Sequence, residues 1–274
     1  MDAKLCAIVP AMNVEKSISN TLRQLNRAGI RETIVVCNGC EDDTITEIRK
    51  TRKDLNTAVE FVEIKVPLGH DVPRAYGALL AKRKRCFSHI LIIDGDWSGS
   101  YGPMLETYIE ECIEKELDIM WTPVKNQIQE DVEYLTPWRR IQNKIPPELK
   151  HADPAMVPLL ISSSTFHFLS PYWLHHPGKW FAYASLLSNK GLQLGVCSDW
   201  DRRLLGHRFK DLKHDLKMKD TLLGDAAEGS CILTSKPFSR FFEGKVRIGY
   251  HSERRIEFLQ RKFSMIEVHA NDKY

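Results

Sequence analysis

Short apolar runs alternate with amphipathic stretches over residues 1–125, and this alternation restricts the fold more than any other feature of the chain. Leu5–Val9 reads as a buried strand ending at Pro10. Asn13 can cap a helix whose apolar face is Ile18, Leu22 and Leu25, with Gly29 as its stop. Thr33–Cys37 reads as a second buried strand, and Asp42 or Asp43 can cap a short helix carrying Ile45 and Ile48. Val59–Val66 has the alternation of a third strand, and a helix over Val72–Arg85 buries Ala75, Tyr76, Leu79 and Leu80. Ile90–Ile93 is a fourth strand, followed by a helix bearing Leu105, Tyr108, Ile109 and Cys112 and then by strand Leu117–Trp121. Repeated β-α-β units call for right-handed crossovers and a mainly parallel sheet flanked by helices.

The pattern breaks over residues 123–160, which hold six of the 13 prolines and read as loops and short helices. A second unit follows, with Thr165–Leu169 as strand, Trp180–Lys190 as helix stopped by Gly191, and Leu192–Cys197 as strand. Leu212–Leu233 reads as a longer helix, and Ser252–Ile266 places Ile256, Leu259 and Phe263 on one helical face. The expected organisation is one α/β domain over residues 1–235, with halves 1–125 and 126–235, and a C-terminal helical tail over 236–274.

Composition narrows the function. A net charge of +3 gives no nucleic-acid signature, and the basic run 202–219 contains only Phe209 as an aromatic. The cysteines number seven, an odd count without framework spacing, which fits a reduced cytoplasmic protein. The opening run Leu5–Val9 is too short for a signal-peptide core, and no apolar run approaches the ~20 residues that span a bilayer. An integral membrane protein is therefore not expected. Contact with a membrane surface and a homodimer stay open.

Chemistry gathers at the strand ends. Ile90–Ile93 runs into Asp94-Gly95-Asp96, and a parallel sheet opens its ligand crevice beyond the carboxyl ends of its strands. Two carboxylates one residue apart form a hard-oxygen site suited to Mg or Mn also held by a phosphate, although an acidic turn alone would read the same way. The first strand ends in Val9-Pro-Ala-Met-Asn13 and the second in Cys37-Asn-Gly-Cys40, small and polar residues of the kind that line a nucleotide. Asn38 can make the paired donor and acceptor bonds of a base edge.

These segments resemble the family 2 glycosyltransferases with the GT-A fold. The resemblance rests on Val9 to Asn13 with Ser17-Ile18, on Val35-Val36 to Thr44, on Gly69 to Gly77, and on Asp94-Gly95-Asp96, in the family's order and spacing. It implies a Rossmann-like sheet, a nucleotide-diphosphate sugar (UDP- or GDP-sugar) as donor, and a divalent cation bridging the diphosphate. By resemblance Pro10, Ala11 and Asn13 line the nucleotide pocket, Asn38 sits at the base, and Gly69 and Gly95 belong to the donor site. Asp94 lies near the ribose or metal and Asp96 coordinates the metal. The chain departs from the family at Val14, where Glu is common, at Cys37-Asn38, where an acidic pair is usual, and at Gly69-His-Asp-Val-Pro-Arg74, where Arg74 stands in for a phosphate-facing lysine.

Cys37-Asn-Gly-Cys40 also has the spacing of a redox or zinc pair, but no second ligand pair accompanies it. The stretch Cys197–His214 holds Asp199 and Asp201, Arg202, Arg203 and Arg208, and His207 and His214. Gly206-His207-Arg208 is similar to the segment of glucosyl-phosphoglycerate synthase-like members, in which a histidine completes the metal site; His207 and His214 are both candidates. Arginine forks match phosphate oxygens, so Arg202, Arg203 or Arg208 is expected to stabilise the leaving diphosphate. Residues 171–183 are dense in aromatics and read either as an acceptor face or as core. By resemblance, inverting members carry a Glu-Asp pair near here as general base. This segment has none, so Asp199 is the candidate base, unless the acceptor is an already ionised phosphate or the mechanism is retaining, neither of which needs one. The expected activity is hexosyl transfer to a carbohydrate, a phosphorylated small molecule or a polyprenyl phosphate. A nucleotidyltransferase and a catalytically degenerate sugar-nucleotide-binding scaffold are the alternatives.

Overall fold

The computed structural model describes residues 4–124, 133–206 and 211–271, with side chains as far as residue 264. In chain order its elements are β1 (Leu5–Ala11), α1 (Ile18–Arg27), β2 (Glu32–Asn38), α2 (Thr44–Thr51), β3 (Ala58–Ile64), α3 (Val72–Lys84), β4 (His89–Ile92) and α4 (Gly102–Glu114). There follow β5 (Ile119–Trp121), α5 (Thr136–Arg139), β6 (Leu159–Ser162), α6 (Pro177–Ser188), β7 (Leu194–Val196), α7 (Leu212–Leu233), the small hairpin β8 (Phe241–Phe242) and β9 (Lys245–Val246), and α8 (Ile256–Asn271).

The main sheet has seven strands in the order β3-β2-β1-β4-β6-β5-β7. The chain winds outward from β1 through β2 to β3, then crosses back to place β4 on the other side of β1. The switch point therefore lies between β1 and β4, where a doubly wound sheet opens its ligand crevice. All pairings along this half are parallel, with Ile8 opposite both Ile34 and Ile92. β1, β2 and β4 are apolar through their middles because both sheet faces are covered there, and Cys6, Ile8, Val9, Val35, Val36 and Ile92 are fully buried. β3, an edge strand, alternates and carries Glu60 and Glu63, charges that discourage a further strand from adding.

The second half differs from the sequence expectation in one strand. No strand forms at Thr165–Leu169, where the backbone makes a short 3-10 turn from Ser163 to His167. The strand is Leu159–Ser162 instead, and it runs antiparallel to both β4 and β5. Four apolar or small residues just after Pro158 suffice to fill the gap between two central strands. The C-terminal helix begins at Ile256 rather than Ser252, because Arg254 is extended. Among the described residues no helix is long and apolar enough to cross a membrane.

Candidate active site

The turn that follows β4 is built to hold two carboxylates still. Ile93 N–H bonds the Ile8 carbonyl at 3.1 Å, so the chain leaves the sheet beside β1. A Cβ on Gly95 would lie 2.8 Å from the Pro10 carbonyl oxygen, so only glycine lets the turn press against the end of β1. The opening of α1 then grips the turn's carbonyls. Ser17 Oγ and Thr21 Oγ1 donate to Gly95 O at 3.0 and 3.3 Å, and Asn20 Nδ2 donates to Trp97 O and Gly99 O at 3.1 and 2.9 Å. Asp94 and Asp96, both half-buried, therefore stand on a backbone whose Gly95, Trp97 and Gly99 carbonyls are held by side chains of α1 and its cap.

The far side of the turn is locked by a later segment. Ser98 and Gly99 N–H groups both bond Leu205 O, at 3.1 and 2.9 Å. Gly99 and Gly206 meet face to face, since a Cβ on Gly99 would sit 1.9 Å from Leu204 O and one on Gly206 would sit 2.7 Å from Gly99 N. Trp97 packs on Tyr101 and Trp200, with ring centroids 5.1 and 6.2 Å apart, which brings the loop carrying Asp199 beside the acidic turn.

Pro10, Ala11, Asn13 and Asn38 come together at the carboxyl edge. Asn13, in the left-handed region at φ 51°, accepts from Glu41 N–H at 2.8 Å, and Cys40 Sγ donates to Ala11 O at 3.4 Å. Val14 N–H bonds Thr44 Oγ1 at 2.8 Å, and Glu15 N–H bonds the Asp42 carboxylate at 3.0 Å. The loops after β1 and β2 are thereby stitched into one ledge. Asn38 is buried, its Oδ1 accepts from Leu68 N–H at 2.6 Å, and its Nδ2 faces Met12 Sδ at 4.0 Å. The amide orientation is fixed by that backbone donor, which leaves Asn38 offering an N–H to the ledge.

Arg74 is more committed than the sequence implied. It hydrogen-bonds Asp94 Oδ1 at 2.9 Å and forms an ion pair with Asp71 Oδ1 at 2.7 Å, so it bridges the acidic turn to the start of α3. Asp71 is itself left-handed at φ 65°, a conformation that costs a non-glycine residue about 1–3 kcal/mol unless its surroundings enforce it. Its other oxygen takes His70 Nδ1 at 2.6 Å and Arg254 Nη2 at 2.9 Å. Burial alone would raise this carboxyl; His70, Arg74 and Arg254 overcome it and hold the group well below the usual carboxylate range.

Sequence reasoning missed what lies behind Asp71. Arg254 continues to Asp225 at 2.6 Å, Arg240 joins Asp225 and Glu228 at 2.7 and 2.9 Å, and His176 meets Glu228 at 2.6 Å. His176, Asp225, Glu228 and His251 have the ligand types of a metal centre, with donor atoms within 4.8 Å of one another. Two guanidinium groups already neutralise its carboxylates, so the cluster is an ion-pair core. Its members come from three separate segments, with only Asp225 and Glu228 on one helix, and no local spacing signals it.

The remaining candidates scatter. His207 and Arg208 lie outside the described residues. His214, exposed on the first turn of α7, has Nδ1 2.8 Å from Tyr250 Oη. Asp199 is exposed in the loop after β7. Arg203 closes on Asp201 at 2.9 and 2.8 Å, and Arg202 Nη2 lies 3.5 Å from Met156 Sδ. The aromatic segment 171–183 is chiefly core, with Trp180 and Phe181 each 1% exposed.

Carboxylate oxygens at the mouth of a parallel sheet are the donor type that a hard divalent cation such as Mg or Mn takes, and Arg74 meets Asp94 at Oδ1. No protein-family model matches this sequence, and no curated protein matches it. Solved structures do. The glucosyl-3-phosphoglycerate synthase of Mycobacterium tuberculosis, in complex with Mn2+, uridine diphosphate and glucosyl-3-phosphoglycerate, aligns at a TM-score of 0.59 and 15% identity over 87% of this chain and 82% of its own. The same synthase with Mn2+, uridine diphosphate and phosphoglyceric acid gives 0.60 and 15%, over 87% and 81%. A mannosyltransferase from Pyrobaculum calidifontis, in complex with GDP-Man and Mn2+, gives 0.57 and 14%, over 93% and 70%. With the sheet order and the crevice at the end of β4, these likenesses give the chain the GT-A fold.

Proposed function

We propose that this protein is a glycosyltransferase that moves a hexosyl group from a UDP- or GDP-sugar to an acceptor, with a divalent cation at Asp94 and Asp96. One observation carries the reading: the Asp94-Gly95-Asp96 turn stands at the switch point between β1 and β4, braced against Pro10 and α1, in a fold shared with glycosyltransferases holding Mn2+ and nucleotide. Bound there, the cation supplies charge neutralisation for the departing diphosphate. Pro10, Ala11, Asn13 and Gly69 line the nucleotide, the Asn38 amide donates to a base carbonyl, and Arg74 fixes Asp94.

His207 is the better candidate for a third metal ligand. It follows Gly206, which is packed on the acidic turn, whereas the His214 ring is engaged with Tyr250. Arg208, next in the chain, is assigned to the leaving diphosphate, and Asp199 is the candidate base, supported by the packing of Trp200 on Trp97. Residues 1–235 are assigned to the transferase domain, with 1–125 as its donor half and 126–235 as its acceptor half.

The test is a thermal-shift panel of UDP, GDP, ADP and CMP, each with and without Mn2+, repeated on Asp96→Ala. A ligand that binds only the folded state stabilises it by about 2.7 kcal/mol at 100 times its Kd. One nucleotide is expected to raise the melting temperature in a Mn2+-dependent way that the variant loses. A wild-type protein indifferent to all four overturns the reading.

A further inference from the structure

The C-terminal segment meets the loop before α3 through the buried Arg254 side chain and the backbone around it. Arg254 is fully buried and holds Asp71 at 2.9 Å and Asp225 at 2.6 Å, while its Nε donates to His70 O at 3.2 Å. Its neighbours pin the same loop, since Arg255 N–H bonds Leu68 O at 2.9 Å and a Cβ on Gly69 would lie 2.3 Å from Glu253 O. Loop 68–71 in turn touches the donor ledge twice. Leu68 N–H holds the Asn38 amide, and Asp71 holds Arg74, which holds Asp94.

The charges in this row alternate: Asp94, Arg74, Asp71, Arg254, Asp225. Arg74 is shared between two carboxylates, and its division between them depends on what else satisfies Asp71. With Arg254 in place, Asp71 has a cation on its other oxygen and Arg74 remains at Asp94. Without it, the buried Asp71 becomes the stronger partner, draws Arg74 inward and releases Asp94 from its set position.

We infer that Arg254 is a positioning residue for the donor site, acting through Asp71 and Arg74 to fix Asp94. This rests on the reading of Asp94 and Asp96 as the site of the nucleotide's metal ion. Arg240 supplies the control, because it is also buried and also binds Asp225, yet it makes no bond to Asp71. The experiment measures UDP and GDP affinity at saturating Mn2+ by calorimetry for wild type, Arg254→Gln, Arg254→Lys and Arg240→Gln. Far-UV circular dichroism and melting temperature are taken alongside, and binding is measured well below the lowest melting temperature.

Arg254→Gln is expected to weaken nucleotide binding about tenfold, within the usual range of coupling between sites. Arg254→Lys, which keeps the charge but not the fork, is expected to fall between, and Arg240→Gln to bind within about twofold of wild type although it is destabilised. If Arg254→Gln does not fold, Arg254→Lys against Arg240→Gln decides by the same criterion. Equal losses in the arginine variants, tracking their melting temperatures, overturn the inference in favour of a structural role. Wild-type affinity in Arg254→Gln overturns it and leaves the donor site standing, whereas a wild type that binds neither nucleotide removes the donor-site reading and the inference together.

Discussion

Arg254 and Asp71 stand 183 positions apart in the chain, yet they meet at 2.9 Å with both side chains fully buried. Removing one partner of such a pair leaves an uncompensated charge in the interior, and about 3–5 kcal/mol is the ordinary cost. Arg254→Met is expected to lose that much in urea unfolding. Because Asp71→Asn removes the charge that Arg254 neutralises, the double variant is expected to lose less than the two singles combined. Simple additivity would sink the claim that the pair acts as a unit.

Gly95 gives a test of the acidic turn that removes no functional group. Gly95→Ala introduces a methyl 2.8 Å from Pro10 O and 3.3 Å from Val9 Cγ1, both on the buried strand β1. Overpacking of this kind costs typically about 1–3 kcal/mol. The turn is expected to lift from β1 and shift both carboxylates, so that Mn2+-dependent nucleotide stabilisation is lost in a protein that still folds. A variant with unchanged melting temperature and unchanged nucleotide shift would show that the contact is not tight.

Acid should weaken the fold earlier than carboxylate protonation alone predicts. Burial, and then the charges of Arg240 and Arg254, push His251 down to about 4, with Asp225 and Glu228 opposing more weakly. Burial chiefly does the same to His175, partly offset by its bond to Tyr172 O. Both groups refuse a proton that the unfolded chain accepts near its ordinary value of 6.5, so stability falls as pH drops from about 6.5 toward 4. Glu228 behaves differently: burial opposes its ionisation, but His176, Lys179 and Arg240 hold it at about 2. Its stabilisation is complete above its ordinary value of 4.5 and is lost as pH falls toward 2. Urea midpoints taken from pH 7.5 to 4 should decline through the histidine window, and less steeply in His251→Gln. A flat profile from pH 7 to 4.5 would remove the histidine contribution.

What the sequence disclosed depended on whether the signal was local. The four parallel strands, Asp94-Gly95-Asp96 at the end of one of them, and helix Leu212–Leu233 all leave periodic or terminal marks within a few residues. β6 does not, because four residues after a proline cannot announce that they run antiparallel between two strands read from elsewhere. Arg240 and Arg254 look like surface charges in any local window. Their burial follows from carboxylates contributed by α3 and α7, and pairing across such distances has no period to read. The same network explains why the last helix starts late, since Arg254 must be extended to lie against loop 68–71.

Cys40 offers a probe of the nucleotide ledge that needs no ligand. Its thiol is lowered to about 7, first by the hydrogen bond with Cys37 and with help from Asn13 and Thr44, against a burial term that raises it. Cys37, by the same bond and by burial, is pushed up, and burial pushes Cys6 and Cys112 to about 12. Since the thiolate is the nucleophile, Cys40 should alkylate at neutral pH while those three stay unmodified. Iodoacetamide labelling followed by peptide mass mapping is expected to give a rate for Cys40 with a midpoint near pH 7. In Cys37→Ala, where the donor is gone, the midpoint should move toward the ordinary thiol value of 9.0. Because Cys40 Sγ bonds Ala11 O on the ledge assigned to the nucleotide, the nucleotide that raises the melting temperature should also slow this labelling. A wild-type midpoint near 9 would remove the Cys37–Cys40 bond from the account. An unslowed rate under saturating nucleotide would move the nucleotide off this ledge.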